Sequence, residues 1–301
     1  MSTAQTTTWS FSQWAQDDLE LVAATAAVKD LPPMADIITE FLVAAQDPDW
    51  TAKGLAMIVA KDPAVSASVL KVANSSYYSF QRQVASLESA ISVLGLQTLK
   101  SLVLAAGVKT LNKRFGLIEK LLVEDSIGGA LSARAIARQA GGIDPEEAFL
   151  VGLMRHIGKI ALNNLDPEHY AAIVQGVYNE EGSLAELERK YFPYTHSAIG
   201  AALLDSWNFS PALVACTLFH ADTPPDQAFD REIERLLAMS VLAGRVCRRL
   251  GLGQRIADES VSIAGTPCAE KLGIDEEAAK AILEEVTSAF EETCQSFLDD
   301  S

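Results

Sequence analysis

The run Pro145-Glu-Glu-Ala-Phe-Leu-Val-Gly-Leu-Met-Arg-His-Ile-Gly-Lys-Ile-Ala-Leu-Asn-Asn164 decides the fold class. Its apolar residues recur at three- and four-residue spacing and show no period-two alternation, so the stretch reads as a helix from Pro145 to Asn164. The same spacing extends in both directions, and no segment alternates between hairpin turns. Upstream, Phe11 to Val28 forms a first helix that must stop before Leu31-Pro32-Pro33, and Met34 to Ala45 forms the next. Asp49 or Thr51 caps a helix through Ala60, and Asp62-Pro63 starts another, with Val65, Val69, Val72 and Ala73 on one face. Asn74-Ser75-Ser76 ends it, because short polar side chains compete for backbone hydrogen bonds. Ser86 caps a short helix that Gly95 stops, and Gln97 opens an apolar helix to about Leu111. Downstream helices fit Leu121–Ala140, Glu168–Tyr178, Leu184–Tyr191, His196–Ser206, Pro211–His220, Glu232–Leu250 and Asp275–Phe297. The breaks at Gly141-Gly142, Pro193, Thr223-Pro224-Pro225 and Gly251–Gly253 are short. The expected fold is all-α, a multi-helix bundle with an N-terminal helical subdomain.

A chain of 301 residues that is 49% hydrophobic can bury a large core. Residues 1–10 are rich in Ser and Thr and read as loose. The start of the chain lacks a basic segment followed by an apolar run, and no uninterrupted apolar stretch nears membrane-spanning length. Four cysteines, Cys216, Cys247, Cys268 and Cys294, stand far apart with no C-x-x-C pair, which fits reduced thiols and a cytoplasmic location. The net charge of −16 is uneven: residues 1–120 carry 10 basic and 11 acidic side chains, and residues 121–301 carry 14 and 29. So acidic a second half repels phosphate backbones and anionic lipids, so neither direct nucleic-acid nor membrane binding is expected. The Ser86–Val108 helix–Gly–helix superficially matches a DNA-reading motif, but its second helix has one basic residue among many apolar ones and describes a buried helix.

The runs Leu31-Pro-Pro-Met34, Lys61-Asp-Pro-Ala-Val-Ser-Ala-Ser-Val-Leu-Lys-Val-Ala-Asn-Ser-Ser-Tyr-Tyr78 and Ser86-Leu-Glu-Ser-Ala-Ile-Ser-Val-Leu-Gly-Leu-Gln-Thr-Leu99 resemble, in order, the signature of the HDOD family. The likeness continues through Pro145–Lys159 to His196 and the Trp207–His220 segment. It implies a helical bundle descended from HD-domain metal-dependent phosphohydrolases, found in bacterial signalling proteins and regulatory in role. The implied layout is an N-terminal extension over 1–24 and an HDOD domain over 25–225, its HD-like part starting at about 121. A helical extension over 226–301 packs on that part. Tyr77 and Tyr78 fit either interface aromatics or buried rings with a polar handle.

HD phosphohydrolases hold metal with a His, an adjacent His-Asp pair and a later Asp, often with further His residues. Such ligands lower the pKa of bound water and screen phosphate oxygens. Aligned on the flanking motifs, the first His falls on Asp125, the pair on Arg155 and His156, and the final Asp near Gly244. His196 and His220 take the auxiliary positions, with Ala221 where many relatives have a second His. A guanidinium offers only donors and cannot ligate a metal. Arg155 is therefore expected to pair with Asp125, or else to clamp an anion together with Lys159. His156, His196 and His220 are the only candidates for a reshaped metal site, against helix capping for His196 and a helix-dipole contact for His220. His169 reads as surface. The expected molecule is non-catalytic, without cofactor or resident metal, and acts by binding a signalling protein, with a nucleotide or anion as the ligand its vestigial pocket would take. The alternative is a phosphohydrolase or cyclic-nucleotide phosphodiesterase with a rearranged site.

Overall fold

A recurrent local device starts the helices: a short polar residue followed by proline. Asp62-Pro63, Asp144-Pro145, Asp166-Pro167, Ser210-Pro211 and Thr266-Pro267 each place a side-chain oxygen against the free N–H groups of the first turn, while proline fills a position whose N–H has no intrahelical partner. The computed structural model describes residues 9–16, 18–31, 33–74, 84, 86–112, 116–221 and 229–298. Tyr77, Tyr78 and Thr223–Pro225, named above, lie outside the described residues.

In chain order the helices are α1 (Phe11–Ala15), α2 (Leu19–Ala27), α3 (Asp36–Ala44), α4 (Ala52–Val59), α5 (Pro63–Ala73), α6 (Leu87–Thr110), α7 (Leu117–Ala140) and α8 (Pro145–Met154). They continue with α9 (Ile157–Leu165), α10 (Pro167–Tyr178), α11 (Leu184–Tyr191), α12 (His196–Ser206), α13 (Pro211–Phe219), α14 (Arg231–Leu250), α15 (Pro267–Leu272) and α16 (Glu276–Leu298). Among the described residues there is no strand, and the fold is all-α. Helix α6 breaks at Gly95, whose φ of +80° suits a residue without a side chain. Asn74 ends α5, donating to the carbonyls of Leu70 and Val84 at 2.8 and 2.9 Å and accepting from the Val84 N–H at 2.7 Å.

Several boundaries differ from the sequence expectation. The helix expected over Phe11–Val28 is two helices, because the Asp18 carboxylate accepts from the N–H groups of Glu20 and Leu21 at 2.8 and 3.2 Å and opens a new one. Helix α7 starts at Leu117, a turn early, since Glu119 reaches back to the Gly116 N–H at 2.8 Å. Helix α15 was not foreseen. Trp9, within the stretch read as loose, is buried against Trp14, Phe219 and Phe229. The most consequential correction is that Pro145–Asn164 is not continuous: the chain leaves helical geometry at His156 (φ −113°, ψ 19°) between α8 and α9. Gly158 supplies the reason. A Cβ there would stand 1.8 Å from the His196 carbonyl oxygen, so α9 must turn to lay its backbone directly on α12.

Helix α7 is the axis of the core, buried almost continuously from Leu122 to Ala137, with α8, α14 and α16 packed on it. It meets α8 at two glycines: a Cβ on Gly152 would come within 2.1 Å of the Gly129 carbonyl oxygen. The fully buried Arg134 of α7 braces the same crossing, paired with Glu146 at 2.7 Å and lying over the Phe149 ring. Helices α3 to α5 gather on α6, which touches α8, and α16 packs on α5 and α6 as well as α7. Among the described residues, one helix, Leu87–Val108, is by length and composition apolar enough to cross a membrane. More than half of it is buried inside the fold, and Gly95 interrupts it.

Candidate functional site

Helices α7, α9, α12 and α14 and the segments after α8 and α13 bring the sequence-predicted residues together. Helix α7 supplies Asp125, the α8–α9 break supplies Arg155 and His156, and the first turn of α9 supplies Lys159. His196 begins α12, His220 follows α13, and Gly244 lies on α14. The turn after α14 closes the back of the site: Gly253, at φ +69°, lies so near Asp125 that a Cβ on it would be 2.4 Å from that residue's own.

Asp125 is the electrostatic centre. One carboxylate oxygen accepts from Arg155 Nη2 at 2.8 Å; the other contacts His156 Nδ1 and accepts from Lys159 Nζ at 3.1 Å. Burial alone would raise its pKa. The interactions with His156, Lys159 and Arg155 outweigh burial and hold it well below the usual carboxylate range. Arg155 is 2% exposed and fits a slot between two glycines. A Cβ at Gly129 would approach its Nε to 2.8 Å, and one at Gly244 would approach its Nη1 to 2.8 Å. The position that offers no ligand at 244 thus provides the room that the guanidinium fills.

The three imidazoles form the second half of the site. His196 Nδ1 lies 2.8 Å from both oxygens of Glu188, which also accepts from the His196 backbone N–H at 2.9 Å. His220 Nδ1 lies 2.8 Å from the Thr217 carbonyl oxygen. Because carboxylate and carbonyl oxygens accept, these partners assign the Nδ1 protons to His196 and His220, while His156 Nδ1 faces both the Asp125 carboxylate and, at 3.1 Å, the Lys159 ammonium. His196 Nε2 and His220 Nε2 then face each other at 3.2 Å. One ligand atom from each of the three rings lies within 4.8 Å of the others. Burial is the main reason the pKa values of His156 and His220 fall well below the ordinary value, with Lys159 and Arg155 adding to the effect at both and Asp125 opposing it at His156.

Sequence reasoning did not find Glu188, the Thr217 carbonyl, Gly129 or the role of Gly253. Glu188 sits in Leu184-Ala-Glu-Leu-Glu-Arg-Lys-Tyr191, the most polar helix of the chain, yet is fully buried. His169 is exposed and bonds only Asp166 among these groups, at 2.7 Å. The capping role considered for His196 belongs to Thr195, whose hydroxyl accepts from the Ala198 N–H at 3.4 Å.

The HD phosphohydrolase ligand set does not fit this site. Arg155 offers only donors, Gly244 has no side chain, and both oxygens of Asp125 are engaged by cationic or imidazole groups.

Comparison with solved structures gives the same architecture. An HDOD domain protein from Geobacter sulfurreducens superposes with a TM-score of 0.74 at 23% identity, over 92% of this chain and 97% of that one. A candidate phosphohydrolase from Shewanella amazonensis SB2B superposes at 0.72 with 26% identity, over 93% of this chain and all of its own. An uncharacterized protein of Treponema pallidum (strain Nichols) is 20% identical over 198 residues, 65% of this chain but only 39% of that protein's length. Residues 31–223 match the HDOD domain, and the chain belongs to the HDOD family.

Proposed function

We propose that this HDOD protein is a non-catalytic regulatory module of bacterial signalling that works in the cytoplasm by binding a protein partner. The observation that carries this reading is the network in which Asp125, Arg155 and His156, at the ancestral catalytic ligand positions, bond one another together with the neighbouring Lys159. The HD phosphohydrolase centre activates water on a metal that its carboxylates help to hold, so that ligand set needs the carboxylate free. Here the carboxylate is already bonded to a buried guanidinium and a partly buried ammonium. The same bonds weigh against a simple anion clamp, since a nucleotide or phosphate would have to displace Asp125 from Arg155 and Lys159. The charge of the second half continues to disfavour nucleic acid and membranes as partners.

The rival reading, a metal-dependent phosphohydrolase with a rearranged site, draws on the His156, His196 and His220 cluster and on the description of the Shewanella protein. One assay separates the two: hydrolysis of phosphomonoesters and cyclic nucleotides by the full chain with Mn2+, Fe2+ or Zn2+ added. Background rates are expected throughout. Turnover that disappears in His196→Ala and His220→Ala would establish the enzyme instead.

A further inference from the structure

We propose that His156, His196 and His220 form a three-imidazole site for a transition-metal dication of the zinc, iron or cobalt class, one that dispenses with the first His, the pair's His and the final Asp of the HD phosphohydrolase centre. This departs from the expectation of no resident metal and is independent of the regulatory reading. His196 and His220 each turn one nitrogen outward to an acceptor, Glu188 and the Thr217 carbonyl, and His156 turns its Nδ1 outward to the Asp125 carboxylate beside Lys159 Nζ. This is the outer support that ligating imidazoles have in metal sites, where a carboxylate or carbonyl fixes the tautomer and raises ligand basicity.

The inner side of the cluster supplies the stronger argument. With Nδ1 of both rings protonated, His196 and His220 direct two lone pairs at each other across 3.2 Å. That arrangement is repulsive unless a proton or a metal ion lies between them. A shared proton would place a further cation beside Arg155 and Lys159, which already face Asp125 across the same cluster. A dication bound by neutral imidazoles uses both lone pairs at once. The spacing is also suitable: bonds of 2.0–2.1 Å in tetrahedral geometry separate ligand nitrogens by about 3.3 Å. The His196–His220 pair already has that separation, and the full set, within 4.8 Å, needs only a ring adjustment to close on an ion. Nitrogen donors select borderline metals over Mg2+ or Ca2+. The carboxylates of Asp125 and Glu188 balance the charges of Arg155 and Lys159, and His156, 14% exposed, marks the access route. Three protein ligands leave a coordination position for water or a small anion. Loading would join α9, α12 and α13 at one point.

The test uses tag-free full-length protein stripped with a chelator and titrated with Co2+. The expected result is one equivalent per chain, with the visible absorption of a four- or five-coordinate ion that Zn2+ displaces. His196→Ala and His220→Ala should lose it, and His169→Ala should retain it. Glu188→Gln, which keeps the shape of the outer support, should weaken binding 10- to 100-fold with unchanged circular dichroism. Failure of the wild-type chain to take up a stoichiometric ion overturns the proposal. So does Co2+ binding that survives in the folded His196→Ala/His220→Ala double variant.

Discussion

Arg155 is fixed less by attraction alone than by the space made for it. Its guanidinium is held at Asp125 and bounded by Gly129 and Gly244, so a methyl group at 244 would press on an atom that cannot move without leaving its carboxylate. Gly244→Ala is therefore expected to destabilise the protein by about 1–3 kcal/mol in denaturant titration, as overpacking does elsewhere. An unchanged midpoint would mean that Arg155 yields freely. Asp125, Arg155, His156, His196 and His220 could be named from the sequence because each lies in or between motifs that fix its register. Glu188 could not. Its helix carries strong surface character, and its burial is decided by His196, eight residues on and across a turn, for which no local pattern exists.

At the scale of elements, the site depends on how the chain turns at His156 and on two close backbone crossings. Gly158→Ala tests the α9–α12 crossing, where the added methyl meets backbone at His196 and Gly200 that cannot rotate away. A loss of about 3 kcal/mol or more is expected, at the upper end of overpacking costs, together with displacement of His156. A neutral substitution would show that the α8–α9 break has another cause. The sequence pattern runs through this break unaltered, because the bend is imposed by contact with a helix forty residues away; most capped and proline-started helices, whose signals are local, were legible, the short α15 after Thr266-Pro267 being missed. Glu20 makes a second inter-element tie, accepting from the Thr195 N–H and hydroxyl at 2.9 and 2.6 Å and from Arg189 at 3.2 Å. Burial raises its pKa, but the bonds from Thr195 and the charge of Arg189 prevail and lower it. The stabilisation is thus complete above the unfolded value of about 4.3 and is lost as pH falls through the lowered folded value. Acid titration followed by fluorescence of Trp9 and Trp14 should show this step, and Glu20→Gln should flatten it; an identical profile in the variant would remove Glu20 from the linkage.

Across the whole molecule, a bundle around α7 holds in its interior a polar cluster that contributes little to a hydrophobic core. Replacing such buried ion pairs with apolar residues is often harmless, whereas removing one partner typically costs about 3–5 kcal/mol because the other charge is stranded. The all-helical architecture was legible from spacing throughout. The mutual fit of Arg155, Gly244 and Asp125 was legible only as substituted ligand positions, since the sequence does not reveal which altered residues touch. The central claim is that these positions now serve one another. Its most direct measurement is a double-mutant cycle in global unfolding with Asp125→Ala, Arg155→Ala and the pair. A coupling of about 2–3 kcal/mol is predicted, with the double variant less damaged than the sum of the single ones. Additivity within about 0.5 kcal/mol would contradict the account.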